Sequence, residues 1–82
     1  MDKDKKIIWL EQDIEYYIKE IGEGILLLQD IVEIAKRSHE QQKTKNVKTC
    51  CEALQKKAQS IIRVIGYFYE ATDELKTLCD EE

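Results

Sequence analysis

The chain has 82 residues, a net charge of −4, no proline and three glycines. A chain this short makes one small domain, and its core is marginal unless disulfides, a metal or another chain support it. With 43% hydrophobic and 37% charged residues it is too apolar for a disordered tail, and its acidity argues against general nucleic-acid binding. Plentiful Ile, Leu, Glu, Lys and Gln favour helix.

The opening stretch, Met1 to Lys6, is charged, and no signal-peptide apolar core succeeds it. The longest apolar run, Gly24 to Leu28, is far too short to cross a membrane. The expectation is a cytoplasmic protein without membrane contact, in the host cytosol if a virus or pathogen encodes it.

From Ile7 onward apolar residues recur at heptad spacing. With Ile7 at position a, the a row is Ile7, Ile14, Ile21, Leu28 and Ala35; the d row is Leu10, Tyr17, Gly24 and Ile31. This predicts a first helix over about 4–37, capped by Asp2 or Asp4. Gly22 and Gly24 could kink or interrupt it. The segment 38–46 (SHEQQKTKN) is wholly polar, and the heptad phase slips between Ala35 and Val47. It predicts a turn, with Asn46, or Thr49 with Glu52, capping a second helix.

A second heptad block predicts that helix over about 47–79. Its a row is Val47, Leu54, Ile61, Phe68 and Leu75; its d row is Cys50, Lys57, Val64, Ala71 and Leu78. Folding the two blocks antiparallel pairs a with d throughout. Ile7 meets Leu78, Ile14 meets Ala71, Gly24 meets Ile61, and Ala35 meets Cys50. One register satisfies every pair except Leu28 with Lys57, whose long stem can reach outward. The fold class is therefore all-α, an antiparallel coiled-coil-like hairpin in a single domain over 1–82, with pairing into a four-helix bundle as a further expectation.

Beyond that seam runs a second apolar stripe. The e rows carry Ile18, Ile25 and Val32 in the first helix and Cys51, Ala58 and Ile65 in the second; Ile62 and Tyr69 extend it on the b row. Two helices cannot cover this face, which marks it as an interface for a second copy or another chain. Trp9 and Tyr16, one heptad apart on the c row, are further anchor candidates. From Lys36 to Lys48 five basic residues, Lys36, Arg37, Lys43, Lys45 and Lys48, oppose only Glu40. From Val64 to Glu82 six acids oppose only Lys76. An antiparallel homodimer would set each basic turn beside the other copy's acidic tail, an arrangement that gives orientation more than affinity.

Signs of chemistry are thin. Cys50 and Cys51 are adjacent, and Cys79 lies about 40 Å further along one helix, too far for a bridge within the chain. A Cys51–Cys79 bridge across an antiparallel dimer is geometrically conceivable; reduced cysteines serving as small apolar residues are the plainer reading. No metal-ligand spacing occurs, His39 has no catalytic partner, and no acid occupies an a or d position. Gly22-Glu23-Gly24 lacks the context of a phosphate loop. No catalytic, metal or cofactor residues are expected, and the chain is read as no enzyme.

Three functions compete. The first is a non-catalytic adaptor, co-chaperone or assembly subunit presenting its apolar face to a helix or groove. The second is a small acidic inhibitor, phage- or pathogen-encoded, with Glu11, Asp13, Glu15, Glu20 and Glu23 as its charged surface. The third is nucleic-acid contact through the basic turn, disfavoured because no aromatic residue interleaves with the charges. In length, acidity and hairpin pattern the chain is similar to the short hairpin co-chaperones that guard needle subunits in type III secretion, and to small flagellar export chaperones. No motif carries that likeness, so it implies no residue roles.

Overall fold

The computed structural model describes residues 2–80. Helix α1 spans Lys3–Glu40 and α2 spans Thr44–Asp80; together they form an antiparallel hairpin. Asp2 caps α1: its backbone is extended, and its carboxylate accepts from the Asp4 N–H at 3.3 Å. Asp4 then sits in the first turn, where a negative charge suits the helix dipole.

Helix α1 runs unbroken through Gly22 and Gly24, so no third helix arises. The turn is shorter than the polar segment suggests. It comprises 41–43, not 38–46, and both helices extend into the segment. Polarity is the wrong guide because Ser38 continues the d row, is buried, and lies level with Val47 in the same register. Asn46 and Thr49 fall inside α2, so neither caps it. The Thr49 hydroxyl instead donates back to the Lys45 carbonyl at 3.1 Å.

The turn forms without glycine. Gln42 takes the left-handed conformation (φ 60°). The Lys43 N–H then donates to the Ser38 carbonyl at 2.8 Å, and the Gln42 N–H to the His39 carbonyl at 2.9 Å. These two bonds are a Schellman motif, which satisfies carbonyls that the helix end would otherwise orphan.

Every a and d residue of the two heptad blocks is buried or half-buried. The tightest point is the one the register singles out. A Cβ on Gly24 would lie 2.8 Å from Ile61 Cγ1 and 2.9 Å from its Cδ1, so only glycine leaves room for that side chain. Lys57 lays its stem beside the same spot, its Cε 3.6 Å from that Cβ position, and is half-buried despite its charge. Across the helices Lys6 pairs with Glu74 at 2.9 Å. Tyr17, level with Phe68, meets the neighbouring Tyr67 ring at 6.0 Å.

The result is a rod of 61 × 17 × 14 Å with a radius of gyration of 18.4 Å. A compact domain of this length would measure about 12 Å. Among the described residues only Leu10, Ile61 and Ala71 are buried apolar residues, and no large side chain is wholly enclosed.

Candidate protein-docking surface

A two-helix rod has two flanks beside its seam. The e and b rows face one side and the g and c rows the other, because successive heptad positions step about 100° around each helix. The e/b flank gathers the residues the heptads marked. Ile18 is 55% exposed, Ile25 46%, Val32 39%, Ile62 65% and Tyr69 62%; Ala58 and Ile65 beside them are half-buried. An open groove of about 560 Å³ runs along the α1 part of this flank, lined among others by Ile25, Leu28, Gln29, Val32 and Lys36.

Trp9 and Tyr16 are also exposed, but their c row belongs to the opposite flank. That flank holds apolar residues the heptad reading passed over: Leu27, Ile34 and Tyr67 on the g rows, all exposed. A smaller open groove, about 300 Å³, lies there between Leu27, Ile31, Ala53, Lys56, Lys57 and Ser60. Tyr16, Tyr17 and Tyr67 form a chain of ring contacts, each 6.0 Å between centroids, linking the c row to the seam. The signal is present in the sequence, since Leu27 and Ile34 recur at heptad spacing. Ile8 and Leu26 are two further exposed apolar residues, on the b and f rows.

Charge is distributed along the rod. Lys36, Arg37, Lys43, Lys45 and Lys48 all lie exposed at the turn end, with Lys36 3.6 Å from Glu33. Arg37 and His39 sit in the last turn of α1, where positive charge complements the dipole. The first turn of α2 has no acid to do the equivalent there. Glu70, Asp73, Glu74 and Asp80 lie at the open end; Glu81 and Glu82, the rest of the acidic tail, lie outside the described residues. The acids of α1 do not share a face. Glu11 and Glu15 fall on the e/b flank, whereas Asp13, Glu20 and Glu23 fall on the g/c flank. The negative charge of Glu20, one turn on from Tyr16, raises the Tyr16 phenol above its usual pKa, and a hydrogen bond to that carboxylate adds to the effect.

The three cysteines are free thiols, Cys50 half-buried on the seam and Cys51 and Cys79 exposed on the e row. Among the described residues no three His, Cys, Asp or Glu side chains gather as metal ligands, and no helix is long and apolar enough to cross a membrane. The surface therefore offers apolar contact framed by charge. Comparison with protein-family models, curated proteins and solved structures finds no match to this chain.

Proposed function

We propose that this chain is a non-catalytic protein-interaction module whose e/b flank docks onto protein. One observation carries the reading: a continuous row of large apolar side chains stands exposed along a scaffold that needs more burial than it has. The hairpin exposes 6595 Å², whereas a compact monomer of this mass exposes about 5,100 Å². The extended shape leaves large apolar side chains on the two flanks in water, and covering apolar surface is favourable at about 25 cal/mol per Å². Patches of this kind mark protein contact surfaces.

The adaptor or assembly role fits this surface better than the alternatives. An acidic inhibitor would gather its carboxylates on one face, and here they divide between two. Nucleic-acid contact would rest on the turn lysines alone, with no aromatic residue among them.

Photo-cross-linking in the cells that make the protein tests the reading. A photoreactive residue at position 25 or 62 should capture protein; one at Gln12 or Gln59, on the polar outer rows, should capture little. Equal capture from all four positions, or none from any, would overturn it.

A further inference from the structure

The e/b flank is uniform enough in its geometry to specify its occupant. We infer that it is covered by a second copy of this chain, laid antiparallel so that each basic turn lies over the other copy's open end. This rests on the proposed docking role of the flank and names the partner.

Three observations converge. The first is charge. On this flank Glu11 and Glu15 lie toward the open end, and Lys36 and Lys48 toward the turn. Those two groups are equidistant from a point on α1 between Gly22 and Ile25. A twofold axis there, perpendicular to the rod, lays α1 on α1 and α2 on α2. Lys36 of each copy comes over Glu11 and Glu15 of the other, Lys48 comes over Lys76, and the net positive turn end meets the net negative open end. A parallel copy would oppose like charges instead, which disfavours that arrangement. Among the described residues Lys76 is the one cation on the acidic side of the flank.

The second is the apolar row. Ile18, Ile25 and Val32 from α1, with Ala58, Ile62, Ile65 and Tyr69 from α2, are centred near that same level. A self-complementary patch needs this, because a twofold interface must map onto itself.

The third is Gly22, a glycine on the flank that the hairpin does not require. A Cβ on Gly22 or Gly66 would meet nothing within 4 Å, in contrast to Gly24. A glycine inside a helix costs about 1 kcal/mol relative to alanine. Gly22 stands between Ile18 and Ile25 on one helix ridge. On the b row of the flank, it lies near the proposed axis, where helices of two copies would approach most closely; Gly66 lies on the outer f row with Gln59. The surplus exposure of about 1,500 Å² per chain, shared by both flanks and the outer faces of the rod, compares with the roughly 800 Å² per partner of a standard stable interface.

The test uses the full chain under reducing conditions, with mass measured by light scattering over a dilution series. The expected species is a dimer of the 9.7 kDa chain. Reversing Lys36 to Glu should weaken it about tenfold at low salt. Adding Glu11→Lys and Glu15→Lys in the same chain should restore it. Gly22→Leu should weaken it further while circular dichroism shows the helices intact. A dimer indifferent to the reversal and to Gly22→Leu overturns the inference. So does a monomer at all concentrations. If that monomer still cross-links another protein from positions 25 and 62, the docking reading stands without the second copy; if it captures nothing, both fall.

Discussion

Ile61 and Ile62 are neighbours in sequence and opposites in the structure. Ile61 drives into the space Gly24 leaves open and keeps 9% of its surface; Ile62, one step around the helix, keeps 65%. Gly24 and Gly22 repeat the contrast, one wedged against a side chain and one facing open space. The seam is satisfied within the chain, and the flank is not. Two residues of the same type, a short step apart, therefore have different work: one holds the hairpin together, and the other is the contact the proposed docking role would use.

The largest effect should come from truncating the seam. Ile61→Ala should cost about 3 kcal/mol of unfolding free energy, read from the urea midpoint. Ile62→Ala should cost less than about 0.5 kcal/mol at dilutions too great for association, and more only as concentration rises. Equal losses at both positions in dilute solution would erase the distinction between seam and flank.

The glycines sharpen it. Gly24→Ala gains helix propensity but forces a methyl against Ile61, for a net loss of about 1 kcal/mol. In an Ile61→Ala background the same change should become stabilising, a coupling that a double-mutant cycle measures. Stabilisation of the parent by Gly24→Ala would mean that the helices do not meet there.

At the turn, Gln42→Gly should stabilise the hairpin by about 0.5–1 kcal/mol, since glycine adopts the left-handed conformation without strain. Thermal unfolding would show it; a lower melting temperature would contradict the Schellman geometry. The smallest effect concerns Tyr16. Glu20→Gln should lower its phenolate titration toward the ordinary tyrosine value, monitored by ultraviolet absorbance at alkaline pH. The sign comes from the removed charge, which opposes formation of a second negative charge nearby. A folded-state pKa above the unfolded one also means that whatever stability this contact lends is lost as pH rises through that alkaline range.

Much of this is legible in the order of residues alone. The antiparallel register, the Gly24–Ile61 contact and the place of Lys57 on the seam come from heptad spacing, because a helix turns a linear repeat into a face. The turn is less legible. Its polar residues resemble a loop, but a d-row serine and a Schellman motif let both helices run on, and a left-handed glutamine leaves no signature in composition. The g/c flank is hidden for a different reason. Leu27 and Ile34 share the g row of α1 and Tyr67 lies on that of α2, beside the seam, so only the packed pair shows that they stay exposed.

The sequence by itself determined the two helices, their seam and the distribution of charge along the rod, since each depends on periodicity along one chain. What only the tertiary structure decided is how much of each apolar residue remains uncovered, and how tightly Gly24 and Ile61 meet. Exposure is a property of two helices placed side by side: whether a methyl group at Gly22 or Gly24 finds open space or Ile61 depends on what lies across from it.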